Sequence, residues 1–455
     1  MTSTLLSSCR VIATMNDART ELAGASISIQ DGWITYVGSD PPAEPRDEEI
    51  DCRNFAVIPG LVNTHHHLYQ TLTRAFPESE GQTLFPWLRM LYPIWAGLDT
   101  EMIYASTCAG LAELALSGCT TCADHLYVFP PGSDDFIDAQ IEAARSIGMR
   151  FHPTRGSMDL GQSQGGLPPD SVIQPIDTIL ADSERLTNRY HDSGRGSLLR
   201  IGIAPCSPFS VSRELMSASA QLARRHGIRL HTHIAETMDE DAYSRQHFGV
   251  SPVRLLHDLD WLGHDVWLAH CVHPGDDDIA LMASAHAGVA HCPTSNMLLG
   301  SGLAPVARFL SEGIEVGIGV DGSSSNDGND LSAEVKQTIL AARTRDGADA
   351  LTVREALWCA TRGGAACLGR EDTGSIEPGK AADLVLFDAG SLECAGGQED
   401  LLAAIVLGSP DPHTVLIHGR TIVRGGNLLS ADVHQIAAQQ NAQAVRLMAK
   451  ARSKR

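Results

Sequence analysis

Positive charge is scarce in this sequence of 455 residues. Lysine and arginine together number 34, against 55 aspartates and glutamates, which gives a formal net charge of −21. Apart from the tail at residues 450–455, no block of basic residues occurs. The sequence therefore argues against a large face that binds DNA or RNA. We interpret the acidic balance as a solvated surface that favours solubility.

Long apolar runs and a basic N-terminal segment are also lacking. No apolar stretch approaches the length of a membrane-spanning helix. Residues 1–9 lack the basic region of a signal peptide. The 11 cysteines are an odd number spread through apolar segments, which is typical of buried thiols in a reducing compartment. We therefore expect a cytoplasmic protein with no membrane partner.

The two ends of the chain share a strand-rich pattern. The predicted strands are residues 26–30 and 33–37, which flank the hairpin signal Asp31-Gly32, and residues 382–387 and 414–423. We expect both ends to pair into one small β-sandwich domain, formed by residues 1–58 and 373–455. The second of these segments also ends in a predicted helix.

Between the two ends, short apolar runs alternate with longer stretches of helical spacing, such as residues 101–116 and 134–147. Such alternation favours parallel βα units. Eight strands are predicted, at residues 57–62, 120–124, 150–153, 200–204, 229–233, 266–270, 288–291 and 315–321. Eight units predict an α/β fold, a closed (β/α)₈ TIM-like barrel over residues 59–372, with its active site at the strand C-termini. A doubly wound open sheet is the alternative.

Residues that can bind a metal occur at the ends of four predicted strands. The first strand leads to His65 and His67, which project the same way because strand side chains alternate, while His66 points elsewhere. The other strand ends carry His231, His233 and Glu236 (fifth), His270 (sixth) and Asp321 (eighth). One strand-end histidine is usually structural, but four such ends on one rim predict a metal site.

The same residues carry a resemblance to the amidohydrolase superfamily. The matching motifs are PGLVNTHHH (residues 59–67), HIAE (residues 233–236), His270, Asp321 and GSIEPGKAAD (residues 374–383). The resemblance covers essentially the whole chain. It implies that the metal ligands are His65, His67, His233 and Asp321, with His231 as a structural neighbour.

The scarcity of lysine bears on the number of metal ions. Binuclear members of the superfamily carry a lysine, carboxylated to bridge two metals, after the third or fourth strand. Here residues 150–157 and 200–210 contain none, and the first lysine of the chain is Lys336. The resemblance therefore implies one divalent ion. Nitrogen-rich ligation favours Zn²⁺, with Fe²⁺ and Mn²⁺ as alternatives.

The resemblance also implies a hydrolytic mechanism. A bound divalent ion lowers the pKa of its water towards about 7. We expect Asp321 and His270 to orient that water and to accept its proton. Glu236 is expected to move a proton to a ring nitrogen of an amidine-like substrate. Collapse of the adduct then expels ammonia or another leaving group.

Within the superfamily, the chain resembles the deaminase and triazine-hydrolase branch. In guanine-deaminase-like members the glutamine that corresponds to Gln70 contacts the heterocycle, and an amide suits a lactam edge. Capping of the following segment is the alternative role. The segments LYPIW (residues 91–95), DHLYVFP (124–130) and GGLPPD (165–170) resemble bacterial 8-oxoguanine deaminases. This implies hydrolysis of 8-oxoguanine to urate and ammonia.

Four further residues are candidates for substrate binding. Trp95 and Tyr127 are suited to stack on or wall a flat purine, although loop aromatics also serve in packing. Cys206 is either a contact for the five-membered ring or a buried structural thiol. Arg155, after the third strand, is a further candidate.

Other functions remain as alternatives. Hydrolysis of an s-triazine of the hydroxyatrazine type, as an aminohydrolase or chlorohydrolase, uses the same metal motifs, and guanine is another possible substrate. A non-catalytic metal-binding scaffold belongs to a different class, which the complete ligand set disfavours. Similar enzymes imply a homodimer or a larger homo-oligomer.

Overall fold

The computed structural model describes residues 3–43 and 45–453. Seven strands precede the barrel: β1 Ser3–Ser7, β2 Val11–Ala13, β3 Glu21–Leu22, β4 Ser26–Gln30, β5 Trp33–Gly38, β6 Glu48–Asp51 and β7 Phe55–Pro59. β4 and β5 form the predicted hairpin, with Gln30 opposite Trp33. Its turn places Gly32 at a φ of +83°, in the left-handed region that glycine adopts without strain.

The middle of the chain forms a closed barrel of eight parallel strands. They are β8 Leu61–Asn63, β9 Cys119–Leu126, β10 Arg150–Ser157, β11 Gly202–Pro205, β12 Arg229–Ile234, β13 Val266–His270, β14 Gly288–His291 and β15 Val316–Ile318. The strands neighbour one another in chain order, and β15 closes against β8 with Ile318 opposite Asn63. The predicted barrel is confirmed, and the open sheet is wrong.

Four strands follow the barrel: β16 Leu384–Asp388, β17 Thr414–Ile417, β18 Arg420–Arg424 and β19 Asn427–Leu428. The strand order β19-β18-β17-β16-β7-β2-β3 shows that both chain ends share one sheet, and β5-β4-β1-β6 form a second sheet. Buried Ile27 and Ile34 from the second sheet share a core with Val57 and Leu384 from the first. The boundaries after residues 58 and 372 stay predictions.

The first predicted strand, residues 57–62, is wrong as a single element. β7 ends at Pro59 and pairs with β16 in the end sheet, whereas β8 begins at Leu61 in the barrel. A Cβ on Gly60 would lie 2.1 Å from Thr120 Oγ1, so the chain passes between the two sheets only because residue 60 has no side chain. The eighth predicted strand is likewise shorter, and Asp321 lies in the loop that follows it.

The α-helices cover the barrel and connect its strands. They are α1 Leu84–Trp95, α2 Thr100–Leu116, α3 Phe136–Ile147, α4 Ile176–Tyr190, α5 Arg213–His226, α6 Met238–Phe248, α7 Pro252–Asp258, α8 Asp276–Ser284, α9 Pro293–Leu298, α10 Val306–Ser311, α11 Leu331–Asp346, α12 Val353–Trp358, α13 Gly364–Cys367, α14 Leu401–Gly408 and α15 Val433–Ser453. Short 3₁₀ turns lie at Leu68–Thr73, Pro77–Ser79, Gln162–Gln164 and Asp170–Val172, and a π-turn at Cys359–Gly363. In the described ranges, no helix combines the length and apolar character needed to cross a membrane.

The terminal helix α15 packs on the barrel helices rather than on the end sheets. Its Leu447 side chain is fully buried. Arg446 and Lys450 both donate to Asp99, which caps the N-terminus of α2. The C-terminal segment thus stabilises the first βα unit of the barrel.

Candidate active site

The four predicted metal ligands converge at the C-terminal ends of the barrel strands. His65 and His67 follow β8, His233 lies near the end of β12, and Asp321 follows β15. The Nε2 atoms of His67 and His233 are 3.1 Å apart. Asp321 Oδ1 lies 3.3 Å from the Nε2 atoms of both His65 and His67. His66 faces the other way, towards Gly110 of α2.

Hydrogen bonds behind two of the rings decide which nitrogen carries a proton. His67 Nδ1 lies 2.6 Å from the carbonyl oxygen of His125, and His233 Nδ1 lies 2.7 Å from that of Cys206. A carbonyl only accepts, so both Nδ1 atoms donate. Burial lowers the pKa of both histidines, so the rings are neutral and have no second proton. Two bare Nε2 lone pairs therefore face each other.

The same reasoning extends to His65 through His231. His231 Nδ1 donates to the carbonyl of Trp267 at 2.8 Å, which leaves His231 Nε2 as an acceptor. That acceptor lies 2.7 Å from His65 Nδ1, so His65 donates to it. Burial also lowers the pKa of His65. His65 therefore presents a bare Nε2 to Asp321, and His231 holds the ring from behind.

Three imidazole nitrogens and one carboxylate oxygen thus meet in a buried space with no proton to share. Facing acceptors repel one another and are poorly tolerated without a compensating cation. Ligand atoms of His65, His270 and Asp321 all lie within 4.8 Å of one another, as do those of His65, His125 and His233. Nitrogen-rich donors with one carboxylate fit a divalent ion such as zinc.

Asp321 is held in place by its neighbours and by an unusual backbone conformation. Ser295 Oγ donates to Asp321 Oδ2 at 2.6 Å, which leaves Oδ1 directed at the histidines. Asp321 has a φ of +61°, and His270 has a φ of +72°. Non-glycine residues seldom adopt this region, and such conformations cluster at functional sites.

Glu236 and His270 form a second pair beside the ligand cluster. Glu236 Oε2 lies 3.5 Å from His270 Nε2, while His270 Nδ1 donates to Asn296 Oδ1 at 2.9 Å. Burial raises the pKa of Glu236. Burial opposes protonation of His270, but the carboxylates of Glu236 and Asp321 outweigh it and raise the pKa of His270. The pair is therefore suited to hold and transfer a proton.

Glu240 is a site residue that the sequence reasoning missed. Its carboxylate accepts from the backbone N–H groups of Ala235 and Glu236, at 2.9 and 2.8 Å. Ala235 has a φ of +52°, so these bonds hold a strained turn that aims Glu236 at the site. The spacing from residue 236 to residue 240 was the available signal, but surface glutamates on helices show the same spacing.

Three of the five predicted substrate residues line the cavity over this cluster. They are Gln70, Tyr127 and Cys206. Gln70 Oε1 is buried and has no hydrogen-bond partner within the described part of the chain. Cys206 Sγ lies 3.8 Å from His233 Nδ1. The amide oxygen of Gln70 is thus free to accept a hydrogen bond from a ligand.

Trp95 and Arg155 do not line this cavity, and their role in substrate binding stays a prediction. Trp95 donates from Nε1 to Thr73 Oγ1 at 3.1 Å and packs edge-on against Tyr69. Arg155 donates to Asp182 at 2.7 Å, and its guanidinium lies 3.8 Å from the centre of the Phe129 ring. Both side chains thus have partners within the protein.

The apolar walls of the cavity come from residues that the sequence reasoning did not select. They are Leu84, Trp87, Leu88, Tyr92, Phe209 and Leu299. Leu84, Trp87 and Leu88 form one stripe of α1, and their spacing is indistinguishable from that of an ordinary core-facing helix. The cavity volume is about 30 Å³.

Comparison with known proteins agrees with this fold, in which metal-binding side chains lie at the ends of the barrel strands. A model of the Amidohydrolase family matches residues 56–422. The chain therefore belongs to the amidohydrolase family.

Two curated relatives and one solved structure are similar over almost their full lengths. The 8-oxoguanine deaminase of Pseudomonas aeruginosa is 45% identical, with 94% of this chain and 96% of the relative covered. Hydroxydechloroatrazine ethylaminohydrolase of a Pseudomonas species is 35% identical, with 96% and 94% covered. The crystal structure of atrazine chlorohydrolase from Arthrobacter aurescens complexed with zinc superimposes with a TM-score of 0.93 at 34% identity, covering 97% and 100%.

Proposed function

We propose that this protein is a zinc-dependent deaminase that hydrolyses the C2 amine of 8-oxoguanine to give urate and ammonia. The observation that carries the reaction type is the meeting of three bare imidazole nitrogens with Asp321, beside the Glu236–His270 pair. The 45% identity to an 8-oxoguanine deaminase supports the choice of substrate.

His65, His67, His233 and Asp321 would hold the metal ion. When bound, the ion supplies a Lewis acid that makes a water molecule acidic enough to attack near neutral pH. The zinc in the atrazine chlorohydrolase structure and the nitrogen-rich donor set both support zinc. The absence of lysine before Lys336 supports one ion per chain.

The proton transfers fall to the two acid–base groups next to these ligands. His270 Nε2 is available to take a proton from the attacking water, because its Nδ1 is committed to Asn296. Glu236 has a raised pKa, so it binds a proton more readily than an exposed glutamate and is able to deliver it to a purine ring nitrogen. Protonation of that nitrogen makes C2 electrophilic towards the water oxygen. The proton taken up by His270 then passes to the amine, which leaves as ammonia, and the hydroxyl proton of the adduct restores Glu236.

The substrate is recognised by a polar group among apolar walls. The Gln70 side chain offers both a donor and an acceptor to the lactam edge of the purine. Tyr127 lies with its ring centre 5.0 Å from that of His67, and it provides one wall. Leu84, Trp87 and Leu88 of α1 provide apolar surface on the cavity walls against which a flat ring can pack.

An amine-release panel tests this proposal. Purified zinc-loaded protein is assayed with 8-oxoguanine, guanine, a pterin and a hydroxyatrazine-type triazine, with ammonia and urate followed separately. We expect 8-oxoguanine to give the highest kcat/KM, with one urate formed for each ammonia released. Turnover of the triazine without turnover of any oxopurine would overturn the substrate and favour the activity of the second relative.

We also infer a cytoplasmic location and a homodimer or larger homo-oligomer. The buried, unpaired state of all 11 cysteines supports a reducing compartment. Light scattering coupled to size-exclusion chromatography tests the assembly. A mass of one 48.6 kDa chain at micromolar concentration would contradict it.

A further inference from the structure

A second cavity lies at the opposite end of the barrel from the candidate active site. It surrounds the N-terminal ends of three neighbouring strands, where Arg150 and Arg229 begin β10 and β12 and Arg200 precedes β11 by two residues. Its volume is about 300 Å³, against about 30 Å³ at the candidate active site. The N-terminal end of such barrels usually serves stability, so a large polar cavity there is unexpected.

Arginine and histidine side chains outnumber acidic ones in the lining of this cavity, although the chain has a net charge of −21. The lining includes Arg195, Arg200, Arg229, His152 and His191, together with two acidic residues, Glu371 and Asp372. Asp372 Oδ2 accepts from the backbone N–H of Gly196 at 2.6 Å. Nearby Asp383 accepts two bonds from Arg150, each 2.9 Å long. One oxygen of Asp372 is therefore committed to the backbone, while its Oδ1 is buried without a partner in the described ranges.

Several buried polar atoms around the cavity have no hydrogen-bond partner within the described ranges. Both ring nitrogens of His152 are buried without a hydrogen bond to any described residue, and the same holds for Arg200 Nε. Arg370 is 2% exposed, and its Nε and Nη2 atoms also lack partners within the described ranges. Buried polar groups are normally satisfied, so this cluster points to something that occupies the cavity.

The positive charges also repel one another. Burial lowers the pKa of Arg370, and the neighbouring guanidinium groups of Arg150 and Arg200 lower it further. Burial and the charges of Arg370 and Arg200 likewise lower the pKa of His152. An anion among these groups would relieve the repulsion and accept hydrogen bonds from Arg200, from Arg370 and from the one ring nitrogen of neutral His152 that carries a proton.

The backbone next to the cavity is shaped to admit an arginine side chain. Gly369 has a φ of +64°, and a Cβ there would lie 2.1 Å from Arg229 Nε. The missing side chain thus lets the Arg229 guanidinium lie against the segment that leads from the barrel to the end sheets. Arg229 Nη1 donates to the carbonyl of Cys367 at 3.0 Å, and Arg200 Nη1 to that of Gly369 at 2.7 Å.

We propose that this cavity binds a small tetrahedral oxyanion of the phosphate class. Arginine guanidinium groups suit phosphate oxygens because their N–H donors form a fork of matching geometry. The bound anion would tie the starts of β10, β11 and β12 to the segment 368–372. The site lies at the opposite end of the barrel strands from the reacting groups, so we assign it a role in stabilising the fold rather than in deamination.

Thermal unfolding of the zinc-loaded protein tests the proposal. Orthophosphate and glycerol 3-phosphate are each titrated against chloride at constant ionic strength and pH, and calorimetry measures the stoichiometry. We expect one phosphate per chain and an increase in Tm of roughly 2 °C at tenfold excess over Kd. Tighter binding of orthophosphate identifies the free ion as the ligand, and tighter binding of glycerol 3-phosphate identifies a phosphate monoester.

Two variants locate the binding site. His152→Phe keeps a ring beside Trp267 and removes two unpartnered nitrogens, so its Tm in chloride should not fall. Arg200→Met removes one whole guanidinium group from the lining of the cavity. Both should lose most of the phosphate-dependent increase in Tm while zinc content stays unchanged. Arg189→Met, at an exposed arginine paired with Asp138, is the matched control and should keep it.

Two results would overturn the proposal. One is the absence of any difference between phosphate and chloride in the unsubstituted protein. The other is an undiminished phosphate effect in both His152→Phe and Arg200→Met, which would place the anion elsewhere, including at the metal. Neither result depends on whether 8-oxoguanine is the substrate, so failure here is distinguishable from failure of the proposed deaminase activity.

Discussion

The Nε2 atoms of His67 and His233 lie 3.1 Å apart, although the single proton of each ring is on the opposite nitrogen. Backbone carbonyls of His125 and Cys206 impose this arrangement from behind. The barrel therefore holds two lone pairs against each other before any ion arrives. A preorganised ligand set of this kind lowers the cost of binding a cation and raises the cost of its removal.

Replacement of a ligand should empty the metal site. We expect His67→Ala to bind far less than the roughly one zinc per chain predicted for the unsubstituted protein, and to lose activity in parallel. Metal analysis after gel filtration measures the content. His257→Ala, at a histidine with 49% side-chain exposure, is the control and should retain both properties. Two ions per chain in the unsubstituted protein would contradict the inference from the missing lysine.

Removal of the Glu236 carboxylate should separate metal binding from turnover. Glu236→Gln keeps the shape of the side chain but cannot transfer a proton, so we expect kcat to fall roughly 10²–10⁴-fold while the zinc content is unchanged. Steady-state kinetics and metal analysis on one preparation provide the comparison. Glu214→Gln, at an exposed position in the first turn of α5, is the control. Full activity of Glu236→Gln would exclude the proton-transfer role.

The position of Gln70 depends on the glycine opposite it. A Cβ on Gly322 would lie 1.9 Å from Gln70 Oε1, so Gly322→Ala should push the amide aside without disturbing the backbone. If Gln70 holds the purine, kcat/KM should fall about tenfold or more, equivalent to at least ~1.4 kcal/mol, with little change in Tm. Gln70→Leu should show a comparable loss. Unchanged kinetics in both variants would assign Gln70 a structural role.

The buried carboxyl of Glu334 should make stability depend on pH. It accepts from the backbone N–H of Thr294 and from Asn326 Nδ2, and burial raises its pKa from about 4.5 to about 7. The unfolded chain releases this proton near pH 4.5, whereas the folded protein retains it up to about pH 7. Folding therefore takes up a proton between these values, and stability falls as the pH rises through that window.

Urea unfolding of the unsubstituted protein and Glu334→Gln measures this effect. The glutamine does not titrate. Between pH 4.5 and pH 8 we therefore expect the unsubstituted protein to lose about 3 kcal/mol of unfolding free energy relative to Glu334→Gln. Zinc is kept saturating at every pH, so that changes in metal occupancy affect both proteins alike. A difference that stays constant across the range would show that the pKa of Glu334 is the same in the folded and the unfolded protein.

The amino-acid pattern alone predicted the barrel, the hairpin at Asp31-Gly32 and the pairing of both chain ends. These features follow from local rules, since apolar periodicity and turn residues act over a few neighbours. The family motifs selected His65, His67, His233 and Asp321, which the structure brings together. The predicted strand boundaries were less accurate. The break at Gly60 is an example, because it depends on the close approach of the Gly60 backbone to Thr120, which is distant in the sequence.

Only the tertiary structure decided which side chains face the substrate cavity. Trp95 and Arg155 look as suitable in sequence as Tyr127, yet they turn to Thr73 and Asp182 instead. The protonation pattern of the histidines likewise depends on carbonyls contributed by other strands. Sequence motifs identified the chemistry because its residue types are few and their spacing is constrained. Packing decided specificity, because contacts between distant segments leave no periodic trace along the chain.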